Sequence, residues 1–461
     1  MSVLGAIAVP HPPLILPEVG RGEEKKIQKT IDSYHTAMMR LAELRPDTVV
    51  LLSPHAVMYA DWFHISPGVR AWGDLSQFGV PGVRVEASYD AEFTQALSRL
   101  CAEKDVPAGT QGERNASLDH ASVIPLRFLG ETGLTCRIVR IGLSGLPPVT
   151  HYALGKCIAE VSETLSRRTA IIASGDLSHR LAEDGPYGFA PEGPVFDRLV
   201  TEALAAGDFG ALLHLSPAFC DAAGECGLRA FQIMAGTLDG KNVRSELLSY
   251  EGPFGVGYAT AVFLPAGEDA GRQFGAALEA EEAAMLARSK AKEDPYVRLA
   301  RLSLETYVRT GKRAEMPDQL PPELLTQRAG AFVSLKKDGL LRGCIGTFAP
   351  TESILAKEIL RNAVSAGTED PRFPPVTAAE LPKLVYSVDV LTAPEPVSSE
   401  TELDPKKYGV IVSRGTRRGL LLPDLEGVDT VEEQIAICRQ KAGIGLREDV
   451  ELSRFQAVRH L

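Results

Sequence analysis

The segment TAIIASGDLSH, from Thr169 to His179, contains the pattern that decides the fold of the first part of the chain. Its first five residues are apolar or β-branched, which is typical of a short strand that is buried on both faces. Small and polar residues follow at once, among them Asp176 and His179. In open α/β sheets, ligands bind beyond the carboxyl ends of the strands. The segment therefore predicts a buried strand that ends at a functional edge.

Outward from this segment, the same apolar pattern recurs four times, and helical spacing of apolar residues lies between the repeats. The further strands are predicted at 3–9, 48–52, 137–143 and 258–264, and the helical stretches at 27–41, 93–100 and 152–165. Strands that alternate with helices predict an α/β domain with a mixed, largely buried sheet and flanking helices. We place this domain at residues 1–265.

Three histidines directly follow predicted strands: His11, His55 and His179. Because three strand ends each deliver an imidazole, we expect these side chains to converge at one edge of the sheet. His120, Asp176 and Glu225 complete the candidate set. Two histidines and a carboxylate suit non-haem Fe(II), and they also suit catalytic Zn²⁺, so the residues leave the metal open. The other histidines lack this strand-end context: His35, His64, His151, His214 and His460.

Five short motifs carry a resemblance to a known family. They are PHPP at 10–13, SPHA at 53–56, DHAS at 119–122, SGDLSH at 174–179 and GECGLRAF at 224–231. Together and in this order they resemble the class III extradiol dioxygenase B-subunit superfamily, and most of all its Memo-like branch. The resemblance covers residues 1–265 and implies an Fe(II)-dependent oxidoreductase that opens catechol-like rings with O₂.

The resemblance also implies roles for individual residues. In ring-cleaving members two histidines and a glutamate hold Fe(II), here His11, His55 and Glu225. His179 would be the acid/base for the catechol proton, and His120 would contact the substrate or the oxygen intermediate. Memo-like proteins instead have a cysteine in the site, here Cys226, with Asp176 and His179 close by. Adjacent residues of a strand point to opposite faces, so Glu225 and Cys226 should not both be ligands if this segment is extended.

The chain changes character after residue 265. Residues 266–293 are rich in Ala and Glu and predict a helical or partly ordered linker. Residues 294–461 predict a smaller α+β domain, in which Asp294 caps a helix that begins at Pro295. We also expect a hairpin of 331–335 and 340–345 around Lys337, Asp338 and Gly339, a helix from Thr351 to Gly367, a strand at 384–391, a strand pair at 409–412 and 419–422, and a helix at 430–443.

The motif LRGCIG at 341–346 places Cys344 between two glycines and beside Arg342. A neighbouring positive charge lowers the pKa of a thiol and makes it nucleophilic, whereas a buried cysteine packed against small residues is the plainer interpretation. With PYVRLARLSLETY at 295–307 and EDPRFPPV at 369–376, the motif resembles the AMME-syndrome candidate family, in bacteria the AmmeMemoRadiSam system protein A. That resemblance implies a modification system with a separate radical-SAM enzyme. Asp370, Arg372 and Phe373 are expected near Cys344.

Composition limits the function. The chain has 461 residues with 49 Lys+Arg and 60 Asp+Glu, a net charge of −11, which argues against general nucleic-acid binding. Its start lacks the pattern of a signal peptide, and no stretch reaches the roughly 20 apolar residues of a membrane span. Seven cysteines without a CxxC pair predict free thiols in a cytoplasmic protein. We expect a small-molecule, catechol-like substrate or a protein substrate.

Overall fold

The computed structural model describes residues 2–115, 117–337, 339–425 and 427–461. The chain divides into two compact units, residues 1–281 and 282–461, and each is described by itself. The division falls inside the segment that is predicted to be a linker. In the described residues, no helix is long and apolar enough to cross a membrane.

The first unit is α/β, as predicted. Its strands are β1 (Val3–Val9), β2 (Thr48–Ser53), β3 (Phe63–His64), β4 (Arg70–Leu75), β5 (Val80–Ser88), β6 (Ala108–Gly109), β7 (Arg137–Gly142), β8 (Thr169–Ser174), β9 (Lys241–Glu251) and β10 (Tyr258–Glu268). Its helices are α1 (Pro17–Gly20), α2 (Gln28–Glu43), α3 (Ala91–Glu103), α4 (His120–Glu131), α5 (Pro148–Thr164), α6 (Glu192–Ala206), α7 (Phe209–Leu213), α8 (Pro217–Ala223), α9 (Leu228–Thr237) and the first part of α10 (Phe274–Lys292).

Six strands form the central sheet in the order β7-β2-β8-β1-β10-β9. The first four strands are parallel to one another. Strand β10 is antiparallel to β1, and β9 is antiparallel to β10, so the sheet is mixed. Alternate residues of the parallel strands enter two different hydrophobic clusters: Ile171 packs on the side of α3, α5 and α9, and Ile172 packs on the side of α2 and α4. The sheet is therefore buried between two layers of helices, which explains why its strands read as continuous apolar runs.

Strand order determines where the candidate site lies. Strand β8 pairs with β1 on one side and with β2 on the other, and all three run in the same direction. Their carboxyl ends therefore share one edge, with Ser174 aligned to Val9. Residues after β1 and β2 approach each other over the end of β8. The predicted convergence of strand ends follows from this topology.

The second unit is α+β, as predicted. Its helices are the remainder of α10, α11 (Pro295–Thr310), α12 (Pro322–Thr326), α13 (Leu355–Thr368) and α14 (Val431–Ala442). Its strands are β11 (Ala331–Lys337), β12 (Leu340–Gly346), β13 (Leu384–Leu391), β14 (Glu395–Val397), β15 (Gly409–Arg414), β16 (Arg417–Leu421), β17 (Glu451–Phe455) and β18 (Ala457–His460). They form two sheets, ordered β12-β11-β13-β18 and β14-β17-β15-β16.

Local predictions for this unit are met to within two residues, apart from the start of one helix. Strands β11 and β12 pair as an antiparallel hairpin, although Asp338 in its turn lies outside the described residues. The Asp294 side chain caps α11. Helix α13 begins at Leu355 rather than at Thr351, because the carboxylate of Glu358 accepts hydrogen bonds from the backbone N–H groups of Thr351 and Glu352 and holds that segment in a turn.

Candidate metal centre

Side chains from three separate segments meet over the end of β8. His11 follows β1, His55 follows β2, and Cys226 lies in the turn before α9. The Nε2 atoms of the two histidines are 3.1 Å apart, and Cys226 Sγ lies 3.6 Å from His11 Nε2. One ligand atom from each residue lies within 4.8 Å of the other two.

These separations fit a shared metal ion. With metal–nitrogen bonds of about 2.1 Å and a metal–sulfur bond of about 2.3 Å, tetrahedral to octahedral angles put two nitrogens about 3.0–3.4 Å apart and nitrogen and sulfur about 3.1–3.6 Å apart. Two imidazoles and a thiol are also chemically suited to Fe(II) or Zn²⁺. The donor set and its spacing therefore fit a divalent transition metal.

Neighbouring polar groups hold the His11 ring in place. Its Nδ1 lies 3.0 Å from Ser174 Oγ, and its backbone N–H donates to Asp176 Oδ1 at 2.7 Å. A proton on Nδ1, shared with Ser174, leaves the lone pair of Nε2 facing His55 and Cys226. Such orienting partners are typical of metal-binding histidines. Burial, with a smaller contribution from His55, lowers the pKa of His11 well below its usual value, so the ring is neutral near neutral pH.

A second group of potential ligands shares Cys226 and adds Asp176 and His179. Burial raises the pKa of Asp176 to about 6 and lowers the pKa of His179. The His179 ring stacks on Tyr187, with the ring centroids 5.1 Å apart. Burial also raises the pKa of the Cys226 thiol, which Asp176 reinforces by its charge. Without a cation, Cys226 is therefore a protonated thiol.

Two glycines bring Cys226 to this edge. A Cβ atom on Gly175 would lie 2.2 Å from the Cα atom of Gly227, so only glycine lets the end of β8 and the turn before α9 approach so closely. The contact places the backbone N–H of Asp176 3.4 Å from Cys226 Sγ. The glycines of the SGDLSH and GECG motifs thus have a structural role in forming the site.

Glu225 has a different environment from Cys226. Its Oε2 accepts a hydrogen bond from the backbone N–H of Leu228 at 2.7 Å, at the start of α9. Burial raises the pKa of Glu225 to about 7. In the described residues, Glu225 is not part of a group of ligand atoms close enough to share a metal. The segment is a turn and not a strand, so the alternation expected for an extended segment does not apply.

His120 lies beside the two histidines, as the first residue of α4. Its ring centroid is 4.3 Å from that of His55 and 5.5 Å from that of His11. Burial lowers the pKa of His120 to about 3, so this ring is neutral. Asp119 caps α4 and forms a salt bridge of 2.8 Å with Arg140. Although burial alone would raise the pKa of Asp119, Arg140 and nearby hydroxyl groups lower it.

A cavity of about 570 Å³ opens beside His55 and His120. His64 and Arg140 also line it, and sequence reasoning singled out neither. For Arg140 there was a signal, because an arginine interrupts the apolar run RIVRIGL at 137–143. For His64 there was none, because it lies outside the predicted strands.

In the second unit, polar groups surround Cys344. Cys344 pairs across the hairpin with Ser334, whose hydroxyl donates to Sγ at 3.2 Å. The backbone N–H of Cys344 donates to Asp370 Oδ2 at 2.8 Å, and Arg372 pairs with the same carboxylate at 2.6 Å. The predicted proximity of Asp370 and Arg372 is confirmed. The Arg372 guanidinium lies over the Phe373 ring, with its central carbon 5.5 Å from the ring centroid.

Of the two interpretations of Cys344, the buried thiol agrees with the structure, and a pKa lowered by Arg342 does not. Arg342 donates from Nε to Glu380 Oε1 at 2.8 Å, and its charge is neutralised there. Burial raises the pKa of Cys344 and outweighs the opposing effects of the Ser334 hydroxyl and Arg372. Cys344 is therefore a neutral thiol near neutral pH.

Comparisons with known proteins agree with the two units. Residues 5–262 match the family described as the catalytic LigB subunit of aromatic ring-opening dioxygenase, and residues 297–460 match the AMMECR1 family. The chain belongs to the LigB family and carries an AMMECR1 domain after the LigB domain.

Individual relatives match either the whole chain or about a third of it. A protein of Clostridium acetobutylicum is 41% identical over 468 residues, which cover 100% of this chain and 99% of the relative. A protein of Thermotoga maritima is 58% identical over 170 residues, covering 36% of this chain and 98% of the relative. A crystal structure of an uncharacterised Pyrococcus horikoshii protein is 37% identical, covers 36% of this chain and 88% of that chain, and has a TM-score of 0.34.

Proposed function

We propose that the first unit is an Fe(II)-dependent oxidoreductase that acts on a small aromatic diol with O₂. The observation that carries this proposal is the convergence of His11, His55 and Cys226 beside a cavity of about 570 Å³. This volume lies within the range of small-molecule sites, about 300–1,000 Å³. Membership of the LigB family supports the reaction class. Bound Fe(II) would supply open coordination positions for the diol and for O₂.

The protein residues would position the diol and manage its proton. His179 is partly buried and burial lowers its pKa, so its neutral ring can accept the proton of a substrate hydroxyl group. The neutral His120 ring, next to His55, would hold the second oxygen of the diol. Asp176 fixes the backbone of His11 and faces the same space. Ser174 orients the His11 ring, and Tyr187 covers His179.

The test is anaerobic purification without added metal, metal analysis, and measurement of O₂ uptake with a panel of catechols. We expect about one iron per chain and O₂ uptake with at least one catechol. The variant His55→Ala should lose both. A protein without bound iron and without O₂ uptake would contradict the proposal. Bound zinc without O₂ uptake would instead favour a hydrolytic use of the same ligands.

As a second candidate function, the chain is a component of a modification system that includes a separate radical-SAM enzyme. Its metal site would then serve for ligand binding or for redox chemistry, and not for ring cleavage. One observation favours it: a thiol, and not a carboxylate, lies beside the two histidines. Cys344 of the second unit would then be a candidate reactive group toward a protein substrate. Affinity purification of the full-length chain from its native cells tests this candidate, and recovery of no iron–sulfur radical-SAM partner would count against it.

A further inference from the structure

Asp197, on α6, is a buried carboxylate that no cation pairs with in the described part of the chain. Its Oδ1 accepts a hydrogen bond from the backbone N–H of Ser178 at 2.8 Å, and its Oδ2 accepts one from the hydroxyl group of Tyr250 at 2.7 Å. Burying a carboxylate without a cation is costly, and burial raises the pKa of Asp197 to about 6. Groups that are kept at such a cost are typical of functional sites.

The hydrogen bond to Ser178 acts on the turn that leads from the end of β8 to His179. The backbone N–H of His179 donates to the carbonyl oxygen of Gly224 at 3.3 Å, which is a long hydrogen bond. The N–H of Ser178, one residue earlier, has a side chain as its acceptor, at 2.8 Å. Asp197 therefore makes the shorter of the two N–H hydrogen bonds that lie next to the His179 side chain.

The contacts around Asp197 fix both the carboxylate and the Ser178 backbone. A Cβ atom on Gly257 would lie 2.0 Å from Asp197 Oδ2, so a larger residue there would displace the carboxylate. The N–H of Gly257 donates to the carbonyl oxygen of Ser178 at 2.8 Å. Ser178 is thus held at its N–H by Asp197 and at its carbonyl group by Gly257. Tyr250 binds the second carboxylate oxygen, so the carboxylate cannot rotate without losing a hydrogen bond.

From these contacts we propose that Asp197 is a positioning residue that acts through Ser178 and holds the His179 ring toward the substrate hydroxyl group. The proposal rests on the proposed function, in which His179 accepts a proton from the diol. Proton transfer needs donor and acceptor about 2.6–3.2 Å apart, and a misplacement of about 1 Å can cost about 100-fold in rate. Loss of Asp197 should therefore slow the reaction without removing a metal ligand.

Two substitutions of Asp197 test the proposal by O₂ uptake with a catechol that the wild-type chain consumes. Asp197→Ala removes the acceptor of the Ser178 N–H, so kcat should fall by about tenfold to 100-fold, while KM and the iron content stay within about threefold. Asp197→Asn keeps an oxygen that can accept from this N–H. It should therefore restore kcat to within about threefold of wild type.

A second measurement follows the proton and does not depend on turnover. 4-Nitrocatechol is added without O₂ to the full chain loaded with Fe(II), and its absorption spectrum reports whether the bound ligand has lost its protons. In Asp197→Ala, the pH at which the bound ligand ionises should rise by about one unit, because the displaced His179 ring no longer receives the proton as well. Asp197→Asn should return this pH to the wild-type value.

Asp90→Ala is the matched control. Asp90 is also buried, and it also accepts from one backbone N–H, that of Phe93, and from one hydroxyl group, that of Thr48. Thr48 begins β2, so Asp90 lies at the opposite end of this strand from His55. Asp90→Ala should lower the free energy of unfolding, as Asp197→Ala does. It should keep kcat and the ionisation of 4-nitrocatechol within about twofold of wild type.

The outcomes separate this proposal from the function on which it rests. An unchanged kcat in Asp197→Ala, or an equal loss in Asp90→Ala, overturns the positioning role and leaves the diol function standing. Failure of Asp197→Asn to restore kcat overturns the role of the Ser178 hydrogen bond. A wild-type chain that neither binds 4-nitrocatechol nor consumes O₂ overturns the diol function itself. If Asp197→Ala does not fold, Tyr250→Phe, which frees one carboxylate oxygen, should still lower kcat about threefold, and an unchanged kcat overturns the proposal.

Discussion

Replacing Cys226 and Glu225 one at a time identifies the third metal donor. Cys226→Ser keeps the size of the side chain and removes the soft sulfur donor, whereas Glu225→Gln keeps the oxygen that accepts from Leu228 N–H. Loss of an orienting partner already costs about 10–100-fold in metal affinity. We therefore expect Cys226→Ser, which removes a direct donor, to weaken binding by at least about 100-fold, or about 2.7 kcal/mol.

Glu225→Gln should leave metal affinity within about threefold of wild type. It should also remove a loss of stability toward neutral pH, because burial raises the pKa of Glu225 to about 7 and so disfavours its charged form in the folded chain. The assays are metal titration by competition with a chelator, and thiolate-to-metal absorption after Co²⁺ substitution. If Glu225→Gln loses the metal while Cys226→Ser keeps it and the absorption is absent in wild type, the assignment of Cys226 is refuted.

Three further predictions concern the glycine contact, a buried carboxyl group and the thiol of the second unit. Gly175→Ala should weaken metal binding about tenfold or more without removing any ligand, because its Cβ atom would lie 2.2 Å from the backbone of Gly227; equal metal affinity in a chelator competition would contradict this. Burial raises the pKa of Asp197 to about 6, so its contribution to stability is present below the unfolded pKa and is lost as pH rises through 6. The free energy of unfolding of the wild-type chain should therefore fall by up to about 3 kcal/mol between acid and neutral pH because of Asp197, and Asp197→Asn should remove this fall. Urea unfolding at several pH values measures it, and a variant with the wild-type pH profile would disprove it. Asp370→Asn should lower the pKa of Cys344 and speed its alkylation by iodoacetamide about threefold at fixed pH, and an unchanged rate would show that the carboxylate does not influence the thiol.

Local patterns were sufficient to predict five of the six strands of the central sheet, and strand β9 was missed. The runs that end before His11 and His55 form parallel strands on either side of β8, and that order brings both rings to one edge. The β4–β5 hairpin, which supplies Asp74 to the cavity, was not predicted. Its strands are partly exposed and lack a continuous apolar run, so the sequence gives little signal for them.

Whether Glu225 or Cys226 is the third metal donor depends on two contacts that the periodic pattern of apolar residues does not reveal. Strand alternation predicts only that one of two neighbours faces the site, and the segment is a turn before a helix. If the turn rotated to present Glu225 to the histidines, the N–H of Leu228 would lose its side-chain acceptor, at a cost of about 1 kcal/mol. The same rotation would disturb the contact of Gly175 with Gly227, where the backbones leave no room for a Cβ atom. The hydrogen bond to Leu228 and the backbone packing therefore both favour the thiol as the third donor, while the Glu225 side chain accepts that hydrogen bond at the start of α9.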